Sequence, residues 1–256
     1  MSENVKHNFG EYQAEFLGTF VFLLLGMGCV AGLKVAGASY GQWEISIIWG
    51  MAVALAIYLT AGVSGAHLNP AVTVALWLFA CFDRRKVVPF ISAQVLGAFC
   101  AAIVVYFLYH NLFAVTDGGA KLVNTASIFC TFPNPGISIG QAFMTEVVIT
   151  ATLMAVIMAL TDDRNGVPKG PMAPLLIGIL VATIGGSFGP LTGFAMNPAR
   201  DFGPRLFTFI AGWGFDTMTG GLSVPYFLVP ILAPIVGAVL GAFIYKRCID
   251  NNLPCN

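Results

Sequence analysis

The tripeptide Asn-Pro-Ala occurs twice in this chain of 256 residues. The copies are Asn69-Pro70-Ala71, within GAHLNPAVT, and Asn197-Pro198-Ala199, within GFAMNPARDFGP. Proline suits the first position of a helix because it lacks an amide hydrogen, and asparagine is a preferred residue just before it. Each copy therefore predicts a loop that leads into the start of a helix. If both starts lie inside a membrane, two positive helix ends and two asparagine amides meet at one depth, which suits a polar solute.

The composition places these motifs in a membrane. Hydrophobic residues make up 57% of the chain and charged residues only 9%, whereas a soluble domain carries about 25% charged residues. We therefore predict an integral membrane protein. The formal net charge is zero and no basic face is evident, so nucleic acid is not expected as a partner. The cysteines show neither CxxC pairing nor metal-site spacing, so no metal or cofactor is expected.

Six apolar stretches are long enough to cross a bilayer. A crossing helix needs roughly 20 residues, because about 30 Å of hydrocarbon is covered at about 1.5 Å per residue. The predicted spans are 14–33, 45–61, 87–109, 139–160, 171–188 and 226–245. The stretches that follow the two tripeptides, 69–81 and 197–207, are too short to cross, so we expect re-entrant half-helices. The connector 110–138 is predicted to be a loop because it contains Gly-Gly and Pro-Asn-Pro.

The two halves of the chain repeat one order of elements: span, span, half-helix, span. Because each half makes an odd number of crossings, the second half is inverted relative to the first. The half-helices then enter from opposite sides and their starts meet near the midplane, an arrangement typical of a transport pathway. We expect one transmembrane channel domain over residues 1–256, with repeat halves at about 12–109 and 139–246.

Basic residues predict the orientation of the chain. Most of the lysines and arginines fall at the N-terminus, in the connectors 83–86 and 162–170, and at the C-terminus. These parts are expected on the cytoplasmic side of the inner (plasma) membrane, so that both termini are cytoplasmic.

The segments that precede the two tripeptides are expected to line the pathway with backbone carbonyls. Irregular backbone at membrane depth persists only where it is buried in protein or lines a water-filled cavity. A file of water or polyol hydroxyls would donate to these carbonyls, while the two asparagines donate from their amides at the centre. Simple helix capping is the alternative role of the asparagines, and the two roles are compatible. The predicted carbonyls are those of Gly65, Ala66, His67, Leu68, Gly193, Phe194 and Ala195.

Arg200 lies three residues into the second half-helix, about 4–5 Å outward from its start. An arginine at this depth costs at least about 2.5–3.5 kcal/mol on insertion scales, and such residues usually face a polar cavity. We expect Arg200 to donate to solute hydroxyls and to repel cations; the alternative is a structural arginine that binds loop carbonyls. Trp49 and Phe194 are expected at the same depth, which would make one wall aromatic and one polar.

Glu15 and Glu146 occupy matching positions in the two halves. Buried carboxylates are costly unless they accept hydrogen bonds, and the amides of the nearby re-entrant loops are natural donors. We expect both residues to brace these loops, with proton relay as the alternative. His67 is interpreted as a hydrogen-bonded structural histidine, with pH sensing as its alternative.

With two tripeptide copies in inverted halves, the chain resembles the major intrinsic protein family, the aquaporins and aquaglyceroporins. The resemblance covers nearly the whole chain, and it is close to a bacterial, glycerol-conducting branch in GQWEISIIWG, YLTAGVSGAHLNPAVT, LTDDRNGVP and GPLTGFAMNPARDFGP. It implies an all-α membrane protein with six transmembrane helices and two re-entrant half-helices in two inverted repeats. It also implies a homotetramer with one pore per subunit.

The resemblance also assigns the narrowest ring of the pore. In the glycerol-conducting branch this ring is a tryptophan, a second aromatic residue, a glycine and an arginine, which fall here on Trp49, Phe194, Gly185 and Arg200. Water-selective members typically have a histidine in place of the small residue, so Gly185 would leave the room that a triol needs. Asp201 is the choice of the glycerol branch after Asn-Pro-Ala-Arg, and we group it with the loop-bracing carboxylates.

The expected function is passive facilitation of glycerol and other small uncharged polyols, with some water, excluding ions and protons. Its partners would be these solutes and the lipid bilayer, with no catalytic cycle. A coupled secondary transporter is the alternative from another class and would need Glu15 or Glu146 as its ion site or relay. A membrane enzyme is a third interpretation, although no cluster has nucleophile or metal spacing. A strictly water-selective channel is the alternative within the class.

Overall fold

A computed structural model describes residues 3–165, 170–222 and 224–253; part of the connector 162–170 therefore lies outside the described residues. Within these ranges the chain forms α-helices alone, with short 3-10 and π turns and no strand. In chain order the helices are α1 (Glu3–Val35), α2 (Gln42–Ser64), α3 (Pro70–Phe79), α4 (Arg84–Val115), α5 (Val123–Ala126), α6 (Ile139–Thr161), α7 (Ala173–Thr192), α8 (Pro198–Thr208), α9 (Asp216–Thr219) and α10 (Val229–Cys248). Of the described helices, six are long and apolar enough to cross a membrane, namely α1, α2, α4, α6, α7 and α10.

Helices α3 and α8 are the two half-helices. Each begins at the proline of a tripeptide and is capped by the asparagine before it, whose side-chain oxygen accepts from a backbone N–H of the first turn. They contain 10 and 11 residues, which at about 1.5 Å per residue covers about half of a hydrocarbon core. The predicted fold class, with six spans and two half-helices, is confirmed.

The helices pack in the same pairs in both halves. Helix α1 contacts α4 and α2, and α6 makes the equivalent contacts with α10 and α7. The halves are joined where α2 packs on α7, where α3 packs on α10 and where α8 packs on α4. Each half-helix is therefore held by the last long helix of the other half, which brings α3 and α8 into contact.

Two glycines allow α2 and α7 to cross closely. A Cβ added at Gly178 would lie 2.5 Å from the carbonyl oxygen of Gly50 and 2.8 Å from the Cβ of Ala54. The same backbone approach is closed to any side chain at Gly50. Small residues are common where membrane helices cross, because they let the backbones approach closely and so stabilise the pair through van der Waals contact.

Several long helices extend beyond the predicted spans. Helix α1 begins at Glu3 instead of 14, and α4 covers Arg84–Val115 instead of 87–109. A prediction based on hydrophobic length misses the polar turns at the ends of these helices. In these turns Lys86 Nζ lies 2.7 Å from Glu11 Oε2, and this ion pair connects α4 to α1. Helix α7 continues to Thr192, past the predicted end at 188, and stops where Gly193 adopts a left-handed φ of 76°.

The prediction that 110–138 is a loop is wrong in part. Helix α4 continues into this connector, and a 3-10 turn at Thr116–Gly119 and α5 follow. The connector after α8 likewise contains a π-helical turn at Phe209–Trp213 and α9. The Trp213 indole is buried and donates to Thr125 Oγ1 at 2.9 Å. Buried aromatic contacts between the two connectors thus give regular structure to segments whose glycine and proline content predicted loops.

The Gly178→Leu variant should lose stability, because its side chain cannot enter the crossing of α2 and α7. Overpacking of a tight contact costs about 1–3 kcal/mol or more, so we expect a lower apparent Tm of the purified protein in detergent. Gly62→Leu is the matched control, since Gly62 is exposed on α2 and has nothing within 4 Å of an added Cβ. Equal melting of the two variants would contradict the role of the crossing.

Candidate functional site

A cavity of about 480 Å³ lies between the two halves. One part of its wall is apolar and comes from the long helices: Phe22, Val53, Ile57, Leu153, Ile157 and Val181. Another part comes from the re-entrant segments and half-helix starts: Gly65, Ala66, His67, Leu68, Asn69, Phe194, Ala195, Met196, Asn197 and Arg200. The cavity is therefore amphipathic: the polar side chains of Asn69, Asn197 and Arg200 share it with apolar side chains of the long helices.

The re-entrant segments have an unusual backbone that is the same in both halves. Ala66 and Leu68 adopt φ values of 51° and 50°, and Phe194 and Met196 adopt 40° and 51°. These residues stand three and one positions before the two tripeptide asparagines. A left-handed conformation of a non-glycine residue persists only where surrounding contacts enforce it, and such strain is typical of functional sites. Within the described residues, no hydrogen bond from a protein donor reaches the carbonyl oxygens of Ala66, His67 or Ala195, and all three residues line the cavity.

The Glu15 carboxylate holds the first re-entrant segment in its left-handed conformation. It accepts from the backbone N–H groups of His67 at 2.9 Å and Leu68 at 2.7 Å. Ser64 Oγ and Gln94 Nε2 donate to it as well, each at 2.7 Å. The side chain is fully buried, so these donors offset the cost of removing its charge from water.

The Glu146 carboxylate does the same in the second segment. It accepts from Ala195 N at 2.9 Å, Met196 N at 2.8 Å and Thr192 Oγ1 at 2.6 Å. The two halves share three donors, namely the last residue of a long helix and the two residues before the tripeptide asparagine, and Gln94 is an additional donor to Glu15. The two buried carboxylates therefore occupy equivalent places in the two repeats.

Both the oxygen and the nitrogen of each tripeptide asparagine side chain are hydrogen-bonded. The Asn69 oxygen accepts from Ala71 N at 2.8 Å, and the Asn197 oxygen accepts from the N–H groups of Ala199 and Arg200. Asn69 Nδ2 donates to the carbonyl of Met196 at 2.9 Å, and Asn197 Nδ2 donates to that of Leu68 at 2.8 Å. Each half therefore holds the other. One amide hydrogen of each asparagine remains for the cavity that both residues line.

Arg200 and the two aromatic residues meet at one end of the cavity. Arg200 Nη1 donates to the carbonyl oxygen of Phe129 at 3.1 Å, and its guanidinium carbon lies 4.3 Å from a ring centroid of Trp49. The rings of Trp49 and Phe194 are 6.4 Å apart and nearly perpendicular, at 80°. All three side chains line the cavity. Arg200 thus binds a loop carbonyl and also lines the cavity, and its donation to solute hydroxyls stays a prediction.

Gly185 and Gly193 lie behind this wall, outside the cavity lining. A Cβ added at Gly185 would lie 2.9 Å from Cε2 of Phe194 and 2.9 Å from Ser46 Oγ. The Phe194 ring therefore lies directly beside Gly185, and the room that Gly185 is expected to leave for a triol stays a prediction. Gly193 caps α7 with a left-handed φ of 76° and faces Thr131.

Asp201 braces the connector between α4 and α6 and not a re-entrant loop. It accepts from Thr131 N at 2.8 Å and Thr131 Oγ1 at 2.7 Å. Arg205 Nε lies 2.7 Å from Asp201 Oδ1, and both side chains are fully buried. Arg205 also donates to the carbonyls of Thr131 and Thr217. This ion pair fastens two connectors to α8, beside Arg200.

His67 lies in the first re-entrant segment, two residues before Asn69. Its Nδ1 is 3.2 Å from Thr73 Oγ1, and its ring lies 4.6 Å from Phe82 and 5.1 Å from Phe90. These contacts fit a structural histidine.

Sequence reasoning missed the anchoring roles of Phe129, Thr131 and Arg205. Arg205 is buried and paired with Asp201. Its spacing of four residues from Asp201 is the usual spacing of an acidic–basic pair on a helix and could have indicated this. Phe129 and Thr131 carry no such signal, because they act through backbone groups of a connector.

Asp201→Asn should destabilise the protein, because it leaves the buried Arg205 cation without a counter-charge. Removing one partner of a buried pair costs about 3–5 kcal/mol, and the readout is the apparent Tm in detergent. Asp83→Asn is the control: its partner Arg85 is 85% exposed, and asparagine preserves the helix cap. A Tm of Asp201→Asn equal to that of Asp83→Asn would show that the pair does not anchor the connectors.

The fold and the cavity define a multi-pass integral membrane protein with an amphipathic cavity between two repeats. The sequence matches the family described as major intrinsic protein over residues 2–245. The chain belongs to the major intrinsic protein family.

Relatives and a solved structure agree with this assignment. The chain is 64% identical over 254 residues to the glycerol uptake facilitator protein of Escherichia coli (strain K12), covering 96% of this chain and 90% of that protein. It is 63% identical over 250 residues to a propanediol uptake facilitator of Citrobacter freundii, covering 95% and 93%. The X-ray structure of the aquaglyceroporin from Plasmodium falciparum superposes with a TM-score of 0.85 at 37% identity, covering 94% of this chain and 97% of that one.

Proposed function

We propose that this protein is a passive channel that facilitates diffusion of glycerol and related small uncharged polyols, with some water, and excludes ions and protons. The observation that carries the proposal is the amphipathic cavity, which sets a hydrocarbon wall beside a column of carbonyls and amides. A polyol has the same two-sided chemistry, with a carbon chain and a row of hydroxyls. The names of the glycerol and propanediol uptake facilitators support a small polyol as solute.

Arg200, Trp49 and Phe194 form the proposed selectivity filter. The guanidinium has five N–H donors, and Arg200 uses Nη1 on the carbonyl of Phe129. Its remaining donors would bind solute hydroxyls, while the perpendicular rings receive the carbon chain. Gly185 contributes indirectly, because its lack of a side chain lets the Phe194 ring stand where it does.

The column of carbonyls carries the solute between the filter and the other end of the cavity. Each free carbonyl of the re-entrant segments accepts one hydroxyl hydrogen, so desolvation of the solute is offset step by step. A bare cation would lose its hydration shell against the apolar wall, and Arg200 adds positive charge at the filter. Cations are excluded by both effects, and anions by the loss of their hydration shell against the apolar wall.

The asparagines supply the proposed barrier to protons. Their oxygens are occupied by the starts of α3 and α8, so each can offer only N–H to the cavity. A water between them would accept two hydrogen bonds and point both of its hydrogens away from the centre. The positive ends of the two half-helices favour the same orientation. The chain of donors needed for proton hopping is thereby broken.

The contacts of Glu15 and Glu146 favour this channel over a coupled transporter. Glu15 accepts four hydrogen bonds and Glu146 three, mostly from the strained loops. Protonation or ion binding at either carboxylate would disturb the loops that it holds. Their proposed role is therefore bracing.

We further propose a single channel domain over 1–256, with repeat halves at about 12–109 and 139–246. The protein would lie in the lipid of the inner membrane, with both termini cytoplasmic, and assemble as a homotetramer. Light scattering of the purified protein gives the subunit number directly. A monomeric mass would contradict the assembly and leave the pore assignment intact.

Stopped-flow light scattering of proteoliposomes tests the function. Under a glycerol gradient, vesicles with protein should reswell fast, with a low activation energy and without an ion gradient, while a sucrose gradient reports water. Empty vesicles are the control. Passage of water with exclusion of glycerol would refute the polyol filter in favour of a water channel, and movement only with an ion gradient would refute the channel itself.

Gly185→His should remove glycerol flux while water flux persists. The imidazole would meet Phe194 and Ser46 at once, and displacing them toward the cavity narrows it. We expect roughly a tenfold or larger loss of glycerol permeability, which corresponds to about 1.4 kcal/mol or more of added barrier. The same vesicle assay gives both permeabilities, and unchanged glycerol flux would contradict the filter assignment.

A further inference from the structure

The indole of Trp49 lies against a glycine of α1. A Cβ added at Gly26 would be 2.6 Å from Cε3 and 2.7 Å from both Cδ2 and Cε2 of Trp49. These are three adjoining atoms of the six-membered ring, at nearly equal distances, so the ring turns its face to the glycine. Carbon atoms in contact are separated by about 3.5–4.0 Å. No residue with a side chain therefore fits at position 26 while the indole stays in place.

Gly26 supports the indole on the side away from the cavity. Trp49 and Arg200 line the cavity, whereas Gly26 does not. On the same helix, Phe22 packs edge-on against the indole with ring centroids 6.5 Å apart. Phe194 confines it from another direction at 6.4 Å. With these neighbours in place, the direction left to a displaced indole is toward the cavity and Arg200.

We propose that Gly26 is a specificity-determining positioning residue: by letting the Trp49 indole lie flat on α1, it sets the width of the filter and hence the passage of polyols relative to water. The inference rests on the proposed polyol channel. It places one determinant of selectivity on a residue that no solute touches.

The size of the effect follows from the distances. A methyl group at position 26 must push the indole by roughly 1 Å to reach ordinary van der Waals separation. A displacement of this size narrows a constriction that passes solutes one at a time. It should hinder a polyol such as glycerol strongly and a water molecule weakly.

Gly26→Ala tests the proposal in reconstituted vesicles, with glycerol and water permeabilities measured on the same preparations. We expect the ratio of glycerol to water permeability to fall about tenfold. Gly28→Ala is the matched control, because Gly28 lies two residues further on α1 and has nothing within 4 Å of an added Cβ. Its ratio should equal that of the wild type. An unchanged ratio in Gly26→Ala would overturn the proposal, even if both permeabilities fall together.

A double-mutant cycle separates positioning from general damage to the fold. Trp49→Ala removes the ring that the new methyl would push, so G26A should change the permeability ratio of W49A vesicles no further. If G26A alone fails to fold, the G26A/W49A variant should fold and have the ratio of W49A. Failure of the double variant, or a further fall in its ratio, would refute the route through the indole. Exclusion of glycerol by the wild type would instead refute the proposed function, and this inference with it.

Discussion

The structure depends on two buried carboxylates that hold irregular backbone at membrane depth. Glu15 and Glu146 each bind the two N–H groups before a tripeptide asparagine. Without these acceptors, the segments would expose unsatisfied donors in a medium that offers no replacement. The left-handed residues, the free carbonyls and the placement of both half-helix starts all follow from this pair of anchors. The negative charge is tolerated because several donors converge on each carboxylate.

The general architecture could be predicted because its signals are local. Hydrophobic length identifies a crossing helix, and Asn-Pro at 69–70 and 197–198 identifies a helix start. The matching positions of Glu15 and Glu146 identify the repeat. Each of these signals lies within one segment, or in the order of segments, and needs no knowledge of packing.

The rest depends on contacts between distant segments. The bond from Arg200 to the carbonyl of Phe129 joins residues 71 positions apart, and backbone acceptors leave no mark in a sequence. Arg205 is buried because the carbonyls of Thr131 and Thr217, on two connectors, accept its hydrogen bonds. Gly185 illustrates the same limit: its identity indicates space, but only the packed structure shows that the Phe194 ring lies directly beside it. Tertiary contacts of this kind override what composition indicates.

The crossed bonds of the asparagines also have a consequence for biosynthesis. Asn69 needs the carbonyl of Met196, and Asn197 needs that of Leu68, so neither re-entrant segment has its full set of partners until the second half has been inserted. A nascent chain that has reached only α4 has no opposing half to line a pathway. A partly synthesised chain therefore does not form a leaking pore, because the conducting geometry is complete only when both halves have been inserted.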